Sequence, residues 1–148
     1  MNIGRPDVWH TFAAVTPAVT APHRRRVAPQ ILVVDDAPDV RQIHTALLYG
    51  SGMEVFTAEN GIAALAVARR TVPDVVVTDV DMPIMDGLEL CRQLRSDAVT
   101  RDLVVVMVTG DASELRRAAL AAGCDAVLEK PCSRRVLLAT IRVLLDRR

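Results

Sequence analysis

The sequence predicts an α/β protein built on one doubly wound, five-stranded parallel sheet with five helices covering its two faces. Three observations predict it. Five short strand-like segments alternate with five stretches of helical periodicity, the pattern of crossover units in a parallel sheet. The middle segment, Val75-Val76-Val77-Thr78, is an unbroken β-branched run, as a strand buried on both faces requires, and it stops at Asp79. The first, third, fourth and fifth segments end at Asp35-Asp36, Asp79, Thr109 and Lys130. Ligands of open α/β sheets bind outside the carboxyl ends of their strands.

The elements follow in order from Gln30. Ile31–Val34 reads as a buried strand. Val40, Ile43, Leu47 and Leu48 then share helical spacing, and Gly50-Ser51-Gly52 stops that helix. Glu54–Ala58 is a second strand, placed near an edge because it carries charge. Asn60 caps a helix running to about Arg70, with Ile62, Leu65 and Ala66 expected inward. The central strand comes third. Pro83 and Asp86-Gly87 break regular structure after it, and Leu88, Cys91 and Leu94 mark the next helix. Leu103–Val108 is the fourth strand. A helix expected from Ser113 carries Leu115, Ala118, Ala119 and Ala122 on one stripe. Ala126–Glu129 is the fifth strand, and a last helix runs from Ser133 to about Leu145.

Composition bounds the rest. A chain of 148 residues that is 51% hydrophobic and 24% charged has length for one domain with a real core and a short appendage. No apolar run approaches the ~20 residues of a membrane span, so a soluble protein is expected. Three cysteines, Cys91, Cys124 and Cys132, form no CxxC and fit a reducing cytoplasm as small apolar fillers. Residues 1–29 differ from the remainder: Pro6, Pro17, Pro22 and Pro29 are spread among Ala and Thr, with the run Arg24-Arg25-Arg26. They read as a flexible arm. The arm holds four arginines against one aspartate, while residues 30–148 hold fourteen basic against seventeen acidic residues. A mildly acidic body offers no broad footprint for nucleic acid, and direct nucleic-acid binding is not expected. Among the eighteen basic residues only Lys130 is lysine.

A strand order 2-1-3-4-5 puts the switch point between strands 1 and 3, which brings Asp35, Asp36 and Asp79 together, with Thr109 and Lys130 ending the adjacent strands. Three carboxylates at one crevice repel one another, and a hard divalent cation relieves that repulsion. Magnesium takes oxygen ligands, typically one or two carboxylates, waters and phosphate oxygens. Lysine is a compact charge suited to a phosphate oxygen. A carboxylate nucleophile, a metal, a hydroxyl and an ammonium together describe phosphoryl transfer onto Asp79.

These pieces, Val33-Val34-Asp35-Asp36, Asp79-Val80-Asp81-Met82-Pro83-Ile84-Met85-Asp86-Gly87, Val108-Thr109-Gly110 and Lys130-Pro131, occur in the order and spacing of a response-regulator receiver domain. Residues 30–148 resemble that module of two-component signalling, with its flavodoxin-like, CheY-like fold. The resemblance implies that Asp79 is the phosphoacceptor, charged by a histidine kinase or histidine phosphotransfer protein in a phosphorelay. It implies Mg2+ held directly by Asp36 and Asp79, through water by Asp35, and by the backbone carbonyl of Asp81. Thr109 and Lys130 would hold the phosphoryl group, Gly110 would keep the approach open, and Lys130-Pro131 would be the family's usual cis peptide. Asp81 and Asp111 occupy the positions that tune phosphate lifetime. Such a protein is a signalling domain rather than an enzyme, its only chemistry being self-phosphorylation and autodephosphorylation.

One departure matters. The family often places an aromatic switch residue three positions before this lysine, and here that position is Val127. The output must be coupled without a rotating ring. Only Arg147-Arg148 follow the last helix, so the expectation is a single-domain regulator signalling to a downstream protein. On that helix Val136 and Val143 form one flank and Arg135 and Arg142 another, with Arg116 and Arg117 on the helix before. These offer a partner or homodimer surface on the last two helices. A competing reading is a phosphatase of the haloacid-dehalogenase type, since Asp79-Val80-Asp81 resembles its DxD. Against it, the nucleophile ends the third strand rather than an early one, Pro83 replaces the usual Thr or Val, and the acidic pair precedes the nucleophile. A phosphate-independent scaffold is the remaining alternative, opposed by the completeness of the site.

Overall fold

The computed structural model describes residues 27–148, so the arm expected over 1–29 lies almost wholly outside the described residues. The elements are β1 (Gln30–Val34), α1 (Pro38–Tyr49), β2 (Glu54–Ala58), α2 (Gly61–Thr71), β3 (Val75–Asp79), α3 (Gly87–Ser96), β4 (Val104–Thr109), α4 (Ala112–Ala121), β5 (Ala126–Glu129) and α5 (Arg134–Asp146). All four pairings are parallel and the strand order is β2-β1-β3-β4-β5. The sheet extends slightly beyond β1, because Glu54 N–H donates to the Pro29 carbonyl at 2.9 Å.

Strand periodicity divides the core into two layers. Leu32, Val34, Val76, Val105, Met107 and Val127 point to the face covered by α2, α3 and α4, where they meet Leu90, Leu94 and Ala119. Ile31, Val33, Val75, Val77, Val106 and Val108 point to the other face, against Leu48, Leu137 and Ile141 of α1 and α5. Leu90 is wholly buried, so Leu90→Ala costs about 2–5 kcal/mol in lost transfer energy and cavity formation.

The helices start where side chains can satisfy their free N–H groups. Asn60 accepts from Ala63 N at 2.8 Å, Asp86 from Glu89 N at 2.8 Å, and Ser133 from Val136 N at 3.2 Å. α4 starts earlier than expected: Asp111, not Ser113, is its cap and accepts from Glu114 N at 3.3 Å. α1 begins at Pro38 with no side-chain cap.

Two predicted helix stripes hold only in part: Leu65 on α2 and Val40, Leu47 and Leu48 on α1 turn inward, while Ile62, Ala66 and Ile43 do not. On α2 the buried face is Gly61, Ala64, Leu65 and Ala68, whereas Ile62 and Ala66 are exposed. Small residues let this helix lie close to the sheet, and the larger Ile62 is turned out. On α1 only Leu48 is fully buried, Val40 and Leu47 are half-buried, and Ile43 faces solvent. On α5 the inward stripe also includes Leu138, and Val136 and Val143 are each 48% exposed, as their flank position predicts.

Candidate functional site

Register fixes what meets at the carboxyl ends of the strands. Val34 pairs with Thr78, Asp79 with Val108, and Thr109 with Glu129. The residues just beyond β1, at the end of β3 and just beyond β5 therefore sit side by side. One carboxylate oxygen each from Asp35, Asp36 and Asp79 lie within 4.8 Å of one another. Lys130 Nζ reaches into this cluster, 3.2 Å from Asp79 Oδ1 and 3.7 Å from Asp35 Oδ2.

The three acids are not equivalent. Asp35 is buried, and its Oδ1 accepts from Ala37 N at 2.9 Å, while its backbone oxygen accepts from Arg41 Nη1 at 2.7 Å. Asp36 is exposed, does not cap α1, and makes no side-chain hydrogen bond among the described residues. Asp79 is 8% exposed, and its Oδ1 accepts from Val80 N at 2.8 Å. Burial pushes the Asp79 carboxyl above its usual range; the Lys130 ammonium pulls it back, and the nearby Asp35 charge raises it further. Three carboxylates faced by one ammonium leave excess negative charge. That donor set, all hard oxygen, fits a divalent cation of the magnesium kind.

Thr109 is adjacent but not engaged. Its side chain is fully buried, and its Oγ1 accepts from Asp111 N at 3.3 Å. Its carbonyl accepts from Lys130 N at 2.8 Å, tying the ends of β4 and β5 together. Gly110 is exposed, and a Cβ there would meet nothing within 4 Å. Asp81 is exposed, and Asp111 spends its carboxylate on Glu114 N and Ser113 Oγ at the start of α4. The Lys130-Pro131 peptide is cis. Val127 is buried on β5 in the same cluster as Ala112 and Ala119.

Sequence reasoning treated Gly87 only as a turn residue. Its N–H donates to the Val80 carbonyl at 2.8 Å, and a Cβ on it would run into the Asp79 carbonyl oxygen and lie 2.9 Å from Val80 Cα. The loop thus folds tightly against the backbone at the end of β3. Ile84, in the same loop, holds φ +74° and is 82% exposed. His44 on α1 was also unanticipated; burial holds its imidazole below the usual range against the pull of Asp35. Sequence carries no periodic signal for either residue. Cys132 sits beside Pro131, but burial raises its pKa, so it is a thiol and not an activated thiolate. Cys91 and Cys124 are buried fillers.

This geometry has counterparts. The family model for the response regulator receiver domain matches residues 31–142. The chain belongs to the response regulator receiver domain family. Among curated relatives, response regulator MprA of Mycobacterium leprae is 44% identical over 118 residues, 80% of this chain and 51% of the relative. The chain thus spans about half the length of the curated relatives it matches. Among solved structures, chemotaxis response regulator CheY4 of Vibrio cholerae superposes with a TM-score of 0.75 at 33% identity, covering 79% of this chain and 98% of that one. The receiver domain of sensor histidine kinase PA1611 from Pseudomonas aeruginosa gives a TM-score of 0.76 at 28% identity, covering 80% and 98%. It is described with a magnesium ion coordinated in its active site cleft. This receiver domain is accordingly a signalling module of two-component systems. Among the described residues no helix is long and apolar enough to cross a membrane.

Proposed function

We propose that the chain is a phosphorelay receiver in which Asp79 accepts a phosphoryl group from the phosphohistidine of a histidine kinase or phosphotransfer protein. The observation that carries this reading is the Lys130 ammonium lying 3.2 Å from Asp79 Oδ1 at the edge of a three-carboxylate cluster. An Asp79 carboxylate oxygen attacks phosphorus, the P–O bond forms as the P–N bond to the donor imidazole breaks, and the departing nitrogen takes up a proton. Asp36 and Asp79, with Asp35 behind them and the Asp81 carbonyl beside them, would hold Mg2+, which supplies charge neutralisation for the phosphoryl oxygens. Lys130 pairs with one phosphoryl oxygen. Thr109 supplies a hydroxyl after giving up its bond from Asp111 N. That exchange frees the first turn of α4 and is how phosphorylation is felt, since buried Val127 contributes no rotating ring. Gly110 keeps the approach clear, and Asp81 and Asp111 set the access of the hydrolytic water.

The resulting population shift is read by a downstream protein or a second copy on the surface of α4 and α5. Leu120, Val136 and Val143 are each about half exposed there, with Arg116, Arg117, Arg135 and Arg142 alongside. Two experiments test the proposal. Labelling by a histidine-phosphorylated donor requires a divalent cation and stops in chelator; labelling that survives chelation contradicts the metal role. Beryllofluoride treatment changes partner capture or oligomeric state, and Val136→Glu with Val143→Glu removes that change; an unaltered response moves the output to another face.

A further inference from the structure

A second basin lies at the opposite end of the sheet from Asp79. β4 runs from Val104 at that end to Thr109 at the acidic cluster, about 17 Å of strand. The basin has a volume of about 570 Å³ and sits where α3 ends, β4 begins and α5 is left behind. Arg95, Arg101, Arg147 and Arg148 line it, against Asp102 and Asp125. Within a body whose net charge is negative, this is a local excess of guanidinium groups.

The four arginines divide into a fixed wall and a free set. Arg95 is spent: Nε donates to the Gly123 carbonyl at 2.8 Å, Nη1 to the Leu103 carbonyl at 2.7 Å, and Nη2 to Asp125 Oδ2 at 3.0 Å. The same Asp125 oxygen accepts from Val105 N at 2.8 Å, so that acid is neutralised within the wall. Gly123, at φ +98°, packs against the Arg95 stem closely enough that a Cβ would lie 2.9 Å from Cγ. Arg101, Arg147 and Arg148 are exposed, and their side chains make no hydrogen bond or ion pair among the described residues. Three free guanidinium groups thus border one cavity, with Asp102 the unspent acidic side chain among its lining residues. Half-buried Leu144 supplies an apolar surface between them.

Guanidinium forks match phosphate oxygens in planar, paired hydrogen bonds. The carboxyl-terminal ends of α3 and α5 also face this region, and their partial negative charge opposes a weakly charged anion. Only a ligand that engages several guanidinium groups together offsets that opposition. The volume falls in the range of small-molecule sites and is ample for more than one phosphate. We propose that this basin binds an organic polyphosphate of the nucleoside di- or triphosphate class, its phosphates on Arg101, Arg147 and Arg148 and its organic part against Leu144. The site shares no residue with the phosphoacceptor cluster, so it stands or falls apart from the reading of Asp79.

The test titrates the full chain by calorimetry and amide NMR in magnesium-free buffer containing chelator, with ADP, pyrophosphate and orthophosphate as separate probes. Without a metal to bridge it, ADP is repelled by the acidic cluster. ADP is expected to saturate one site and to shift the amides of Val104, Asp125 and Leu144. Combining Arg101→Gln and Arg147→Gln weakens binding about tenfold or more and leaves acetyl phosphate labelling of Asp79 intact. Tighter binding of ADP than pyrophosphate supports the nucleotide, and equal binding supports phosphate recognition with an inorganic polyphosphate as the source. Orthophosphate binding as tightly as both, no saturation at millimolar ADP, or binding unaltered in the double variant overturns the proposal.

Discussion

Asp79 is a buried anion with one cationic partner and an acidic neighbour, and that balance has a measurable consequence. Its carboxyl titrates above the usual 3.8 because burial outweighs the help from Lys130. A group raised in the folded state contributes stability that is fully present below the unfolded value and lost as pH rises through the folded one. Above the folded value the ionised Asp79 carboxylate therefore costs stability. In metal-free buffer Asp79→Asn is expected to melt above the wild type at pH 7, with the gap closing as pH falls toward 3.8 and narrowing when magnesium is added. Equal melting temperatures at all pH values would show that the site carries no such cost. Gly87 makes a second prediction at this scale. Gly87→Ala drives a methyl group into backbone atoms of Asp79 and Val80, which cannot yield as a flexible side chain would. It is expected to cost at least about 1–3 kcal/mol by denaturant unfolding and to slow labelling of Asp79. Gly110→Ala, with open space around it, leaves stability unchanged.

At the scale of elements, α4 is the helix whose start is tied to the site. Asp111 caps it, and the Asp111 N–H is what the Thr109 hydroxyl accepts from. Asp111→Ala removes the cap and is expected to cost about 1 kcal/mol, with faster amide exchange confined to the first turn of α4. Asp111→Asn keeps a capping oxygen while removing charge, so a changed phosphate lifetime in that variant reports electrostatics alone; an unchanged lifetime assigns Asp111 to capping only. The elements also show what a sequence can and cannot announce. All five strands were legible: β1, β3 and β4 as unbroken or nearly unbroken β-branched runs, and the weaker Glu54–Ala58 and Ala126–Glu129 because they are short and fall between helical stretches in a regular alternation. The face of α2 was not, because its contact with the sheet is made by Gly61, Ala64 and Ala68, whose small size is the point, while periodicity follows large residues such as Ile62. Ser113 reads as the α4 start, but the helix is capped two residues earlier by Asp111, whose N–H is held by the Thr109 hydroxyl, a backbone turn that leaves no mark in the sequence pattern.

For the whole molecule, topology does most of the work. The order β2-β1-β3-β4-β5 places the ends of β1 and β3 side by side at the switch point, and from that single fact the carboxylate cluster follows. Asp35, Asp36, Asp79 and Lys130 were therefore legible in the sequence once the strand order was assumed. What was not legible is contact made through backbone: Gly87 against Asp79, and Thr109 turned to Asp111 rather than to Asp79. The fold also separates the molecule into an acidic end and an arginine-lined end. The most direct measurement of the central claim is intact mass after incubation with acetyl phosphate and magnesium, alongside Asp79→Asn. Asp79 as acceptor predicts one added phosphoryl group on the wild type, absent in the variant and lost on standing. An unlabelled wild type, equal labelling of the variant, or steady turnover of a small phosphate ester without a labelled state would contradict it.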